Sequence, residues 1–224
     1  MGLDLTDAVQ IRITIQQLVQ SGLVDDDKAA SVKEQFALEK AANEGDGDAL
    51  YEMGRQFQAK VLRDAVAYGD DAGVWLYQKL SGGENHWWVK GARLHNPKCM
   101  TAYGQFLYWG PVNRSKGCAV DEELGQFYLY QAAANVDLAA YTIGFAVLSR
   151  DILIDQRSHK EHMRYYDFPT EERIKWFSKT NLDEAKYWLK KVVHGECEHK
   201  IMRIADMLDA QEKLKEIEEH ESGQ

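Results

Sequence analysis

The chain has 224 residues, a formal net charge of −9, and only three prolines against 45% aliphatic, aromatic and cysteine residues. That length buries a real core in one large domain or two small ones, and the scarcity of proline suits an almost wholly helical chain. The acidic balance argues against binding a nucleic-acid backbone, and no run of about 18 apolar residues is present to span a membrane.

Taken in order, Asp4-Leu-Thr-Asp7 caps a helix running to about Gln20, with Ile11, Ile15, Leu18 and Val19 as its apolar stripe. Ile11 to Ile15 also alternates like a strand, but Ser21-Gly22 ends a helix cleanly and no partner strand is evident. Met1 to Thr6 matches the myristoylation pattern formally, with no polybasic stretch beside it, and reads as chance. The N-terminus has neither a basic n-region nor an apolar h-region, so no secretory signal is expected. Asp25-Asp26-Asp27 caps a second helix that runs to Asn43.

The stretch Lys40-Ala-Ala-Asn-Glu-Gly-Asp-Gly-Asp-Ala-Leu-Tyr-Glu-Met-Gly54 then reads as a helix end, a tight turn and a helix start. Gly45 suits the left-handed residue that stops the first helix, and Asp46 or Asp48 caps the next. Ala49, Met53, Gly54 and Phe57 fall on one helical face. The same frame returns at Cys99, Tyr103 and Gly104, and again at Ala139, Ile143 and Gly144, where the preceding turn is one residue shorter. Glycine inside a helix costs about 1 kcal/mol against alanine, so three at matched offsets predict close approach of a neighbouring helix. Residues Ala72 to Leu80 form an inserted helix or turn with Val74, Trp75 and Leu80 partly buried. Ser81-Gly-Gly83 lacks the ending of a phosphate loop and reads as a connector.

Trp109-Gly110-Pro111 stops the second frame, Asn113 to Val120 is a polar loop, and Asp121 caps a helix from Glu122 to Ala134. An insertion runs from Arg150 to about Thr180, with a helix from Thr170; it is either a binding element or decoration. Asn181-Leu-Asp-Glu-Ala185 opens a last pair running to about Leu208. The charged tail Gln211 to Glu221, anchored only by Leu214 and Ile217, caps the open end as a polar helix.

At these residues the sequence resembles the Sel-one-like repeat family, a relative of the tetratricopeptide repeats. Its pattern is an aromatic, then Lys-Ala-Ala-x-x-Gly-x-x-x-Ala-x-x-x-Leu-Gly-x-x-Tyr-x-x-Gly. Lys40 to Phe57 follows it closely. Trp87 to Gly110 follows it with Gly91-Ala92 for the two alanines, His95 for the turn glycine, Cys99 for the alanine and Leu107 for the tyrosine. Phe127 to Val147 is a third match. Trp188 to Gly195 starts a fourth, in which His199 and Ile204 stand where the small residue and glycine belong. The resemblance implies an all-α fold, an α/α superhelical solenoid of about four helix pairs, that binds other proteins. Residues 1–224 then form a single domain: 1–45 N-terminal helices, 46–149 core repeats, 150–180 insertion, 181–224 last repeat and capping helix. Some secreted members carry a disulfide in each repeat. Cys99, Cys118 and Cys197 are odd in number and widely spaced, which points to a reducing cytoplasm.

Two clusters bear on chemistry. His194-Gly-Glu-Cys-Glu-His199 gathers possible zinc ligands, but they sit in a turn with side chains pointing apart and no second half-site. His159 and His162 stand three apart, not at the four-residue spacing of a helical zinc protease. No nucleophile elbow or phosphate loop occurs, so no catalytic residue, cofactor or metal is expected. Counting from the small residue, offsets 0, 4, 5 and 8 face the core, and offsets 3 and 6 point to an open inner surface, as does offset 10. They select Glu52, Arg55, Gln105, Trp109, Thr142 and Phe145 as partner-binding residues. Trp109 and Phe145 are the expected anchors unless the insertions bury them.

The expected role is a non-enzymatic protein-binding module holding one partner in its groove. Within the family's range this allows a bacterial immunity or regulatory protein that neutralises a basic toxin or effector. An adaptor with several partners is the alternative, and a metal or enzymatic protein a remote one.

Overall fold

The computed structural model describes residues 26–68, 86–109, 122–157 and 179–222, and the elements formed by these residues are all α-helices. They are α1 (Asp26–Asn43), α2 (Gly47–Tyr68), α3 (Trp87–Arg93), α4 (Pro97–Trp109), α5 (Glu122–Ala133), α6 (Asp137–Arg157), α7 (Lys179–Val193) and α8 (Ile204–Ser222). The elements expected at Asp4–Gln20, Ala72–Leu80, Asn113–Val120 and from Thr170 lie outside the described residues. The chain divides into two compact units, residues 1–99 and 100–224.

In the first unit α2 packs against α1 and α3 around Ala42, Ala49, Leu50, Val89 and Ala92, all buried. The α1–α2 turn follows the sequence. Gly45 takes φ 93°, the amide of Asp46 donates to the Ala41 carbonyl at 3.0 Å, and that of Gly45 to Ala42 at 3.2 Å. This wrap satisfies carbonyls that the helix end would otherwise strand. Asp46, not Asp48, is the cap: its Oδ1 accepts from the Ala49 amide at 2.8 Å. His95 takes the left-handed role between α3 and α4 at φ 60°, and Asn96 caps α4 through the Cys99 amide at 2.9 Å.

The in-helix glycines meet the close neighbours their spacing predicts. A Cβ on Gly54 would lie 2.1 Å from Nε1 of Trp88, the indole that donates to the Tyr51 carbonyl at 3.2 Å. In the second unit a Cβ on Gly104 would lie 3.0 Å from Cγ of Leu129, and one on Gly144 would lie 3.2 Å from Cγ of Leu189. Trp88, Leu129 and Leu189 each stand three residues before the small or branched residue of the next pair, at Gly91, Ala132 and Val192. One position on three helices therefore fills the notch left by one position on three others. A Cβ on Gly125 would come within 2.7 Å of the Tyr108 amide, so α4 and α5 cross backbone to backbone.

The second unit departs from expectation in three places. First, α6 continues to Arg157, into the stretch read as an insertion from Arg150. Second, no helix follows the Gly195 turn directly. The His199 amide donates to the Asn135 carbonyl at 2.8 Å, and the Ile201 amide to Oδ1 of Asp137 at 2.9 Å. Those bonds hold the segment extended against the start of α6, and α8 begins at Ile204. Third, α8 is more than a polar cap. Ala210, Lys213, Leu214 and Ile217 are all buried, an i, i+3, i+4, i+7 stripe.

Candidate interaction surface

In the first unit, Glu52 is half-buried and Arg55 exposed on α2, where they pair with each other at 3.7 Å. An exposed i, i+3 pair of this kind contributes little to stability and leaves both groups accessible.

In the second unit the expected open surface is partly closed. Thr142 is only 3% exposed, because its hydroxyl donates to the Leu138 carbonyl at 2.6 Å and accepts from Nε2 of Gln105 at 2.7 Å. Offset 3 therefore faces a neighbouring helix in this pair, and Thr142 with half-buried Gln105 forms an internal bridge. Phe145 is half-buried, with the Lys213 ammonium 5.4 Å from its ring centroid and Tyr141 beside it at 6.2 Å. Lys213 is 3% exposed and pairs with Asp209 at 2.7 Å, and the Tyr141 hydroxyl donates to the same carboxylate at 2.5 Å. Helix α8 thus reaches this face of α6. Trp109 is the last residue of α4, and its side chain lies outside what the structure describes.

Among the described residues, the large aromatics left in solvent stand on α5 and α7. Phe127 is 54% exposed, Tyr130 44% and Tyr187 59%. Phe127 and Tyr130 share a face of α5 at i, i+3. The Tyr130 hydroxyl donates to Oε1 of Glu184 on α7 at 2.6 Å, and its ring meets Trp188 edge-on at 6.2 Å. Trp188 in turn meets Tyr187 at 4.8 Å, with the Lys191 ammonium 6.0 Å from the indole centroid. Phe127 and Trp188 were legible as the pattern's aromatics. Tyr130 and Tyr187 follow only once Leu129 and Leu189 are assigned to the core, because their neighbours on the helix must then turn outward.

Among the described residues, the remaining reactive groups are interior or dispersed. Burial pushes the Cys99 thiol up to about 12, with Asp48 adding to the rise and Lys98 opposing it; burial also raises Cys197. Both therefore stay protonated and act as small apolar groups. His86 is held down to about 4 by burial. His194 and Glu196 approach at 3.8 Å, and no group of three or more metal-ligating side chains gathers among the described residues. His159 and His162 lie outside them. No described helix is long and apolar enough to cross a membrane. Comparisons of the chain with family models, curated proteins and solved structures return no match.

Proposed function

We propose that the chain is a cytoplasmic, non-enzymatic protein-binding module, an α/α solenoid of Sel-one-like helix pairs that holds one basic protein partner. The partner class in this reading is a toxin or effector, neutralised as an immunity or regulatory protein neutralises its target. The matched glycine notches filled by Trp88, Leu129 and Leu189 support the repeat architecture. The observation that carries the function is the aromatic surface of α5 and α7. Rings exposed by about half, two of them linked edge-on through half-buried Trp188, are what a docking face offers and what solubility alone disfavours. The net charge of −9 supports a basic partner.

The test is capture of partners from lysate of the source organism on the full chain, washed at low and high salt, with bound proteins identified by mass. One dominant basic protein released by salt is the expected result. Several partners of mixed charge would favour an adaptor, and an empty bait would overturn the reading.

A further inference from the structure

We infer that the α5–α7 face docks an arginine-bearing segment of the partner, with Tyr187, Tyr130 and Phe127 supplying ring surface and Glu184 and Asp183 supplying charge. The inference rests on the protein-binding reading and gives it a surface and a partner chemistry.

The rings come first. Tyr130, Trp188 and Tyr187 form a continuous edge-to-face series at 6.2 and 4.8 Å, and Phe127 extends it one turn along α5. Two of the three exposed rings are tyrosines, which offer rigid area with few rotors to immobilise. Charge comes next. Glu184 is fastened among the rings by the Tyr130 hydroxyl, and exposed Asp183 stands four residues before Tyr187, one helical turn away on the same face. Two described cations of α7 turn to α8, and a third sits on the ring series itself. Lys186 pairs with Glu221 and Lys190 with Glu218 at 3.2 Å, both on α8, and Lys191 lies over the Trp188 ring. The carboxylates beside the exposed rings are Glu184 and Asp183.

A planar guanidinium satisfies both features at once, stacking on a tyrosine ring while its fork of N–H donors meets a carboxylate. An ammonium can sit over a ring, as Lys191 does over Trp188, but it lacks the planar fork that stacks on a ring and meets a carboxylate together. Arginine is therefore the side chain this face distinguishes, and lysine is its control.

The experiment titrates the full chain with a capped peptide of about a dozen residues alternating arginine and alanine, and with its lysine counterpart. Tyr187→Ala, Tyr187→Phe and Glu184→Gln are measured beside the wild type, with circular dichroism confirming the helices. The expected result is tighter binding of the arginine peptide and about a tenfold loss in Tyr187→Ala and in Glu184→Gln, with Tyr187→Phe close to wild type. Absence of binding, or equal binding of both peptides by every variant, overturns the inference, since net charge alone would then explain it. Self-association abolished by Tyr187→Ala overturns it in favour of a second copy of the chain.

The outcome is separable from the broader reading. A cellular partner retained by the Tyr187→Ala/Glu184→Gln chain removes this surface and leaves the binding module. Peptide discrimination with no captured partner keeps the surface and removes the module.

Discussion

The turn between α3 and α4 and the turn between α5 and α6 occupy the same place in their helix pairs, yet they are built by different means. The first is local. His95 turns left-handed, the Asn96 amide reaches back to the Gly91 carbonyl at 2.9 Å, and the Asn96 side chain caps α4. The second is one residue shorter, and Val136 stands where the capping side chain belongs. Its helix start is satisfied from afar: the Asp137 amide donates to the His199 carbonyl at 3.1 Å, making a parallel bridge between Val136 and His199. Asp137 itself is buried and turns its carboxylate to the Leu138 amide at 2.6 Å, Ile201 at 2.9 Å and Met202 at 3.4 Å. Losing one turn residue thus converts a self-contained cap into a clamp on the segment that leads to α8.

The clamp is where substitution has the largest effect. Asp137→Ala leaves three part-buried amides without their charged acceptor, and is expected to cost about 3 kcal/mol. Asp46→Ala, which removes a local cap, costs about 1 kcal/mol. Urea denaturation compares the two. Hydrogen exchange at Ile201 should accelerate in the first variant only; equal losses would make the clamp no more than another cap.

A cap of a third kind responds to pH. His86 precedes α3, and its Nδ1 accepts from the Trp88 amide at 3.2 Å. The ring is packed against Phe57 at 5.1 Å and the Trp88 indole at 5.5 Å, and its Nε2 is buried without a hydrogen-bond partner. Protonation would turn the Nδ1 acceptor into a donor facing a donor. Because burial lowers the folded pKa from 6.5 to about 4, the unfolded chain binds the extra proton first as pH falls. This contribution to stability is therefore complete above pH 6.5, declines through the window down to about pH 4, and is absent below it. The shift corresponds to about 3 kcal/mol. His86→Asn keeps a capping acceptor and removes the titration, so the stability difference between wild type and variant should change across that window. A constant difference would mean the ring is not held neutral.

The next effect lies beside the local turn. Gly91 stands where two other pairs carry Ala41 and Ala132, and Cys99 where they carry Ala49 and Ala139. A Cβ on Gly91 would lie 2.3 Å from Sγ of Cys99, so the smaller residue accommodates the larger. Gly91→Ala alone is expected to cost about 2 kcal/mol through overpacking, most of it recovered by adding Cys99→Ala. Additive losses in the double-mutant cycle would show that the two residues do not compensate.

How much of this was legible follows from which interactions are local. Gly45 announces its turn in sequence because the left-handed conformation and the backbone wrap depend on a few adjacent residues, whereas His95 and Gly195 are placed through the resemblance. Gly54, Gly104 and Gly144 announce a close neighbour because a missing side chain inside a helix needs a reason. The identity of that neighbour was not legible, and neither was the fate of Thr142 and Phe145. Both depend on contacts spanning dozens of residues, to Gln105 and to Lys213. The shortened turn before Ala139 was visible, but its consequence was not: nothing near Asp137 says that its carboxylate meets amides more than sixty residues on.

The smallest effect tests the local turn from the stabilising side. His95 holds φ 60°, where Cβ crowds the following carbonyl, whereas Gly45 and Gly195 hold the equivalent place at φ 93° and 69° with no Cβ to crowd. His95 is exposed, so its replacement opens no cavity. His95→Gly relieves the crowding but gives the unfolded chain more freedom, and the balance should favour the folded state by about 1 kcal/mol or less. The same change at Asn135 should be unfavourable, because that turn uses no left-handed residue and glycine would bring only its entropy. Thermal melting of the two variants therefore moves in opposite directions if the turns differ as described. A shared direction would mean that the shortened turn keeps the local logic of its counterpart.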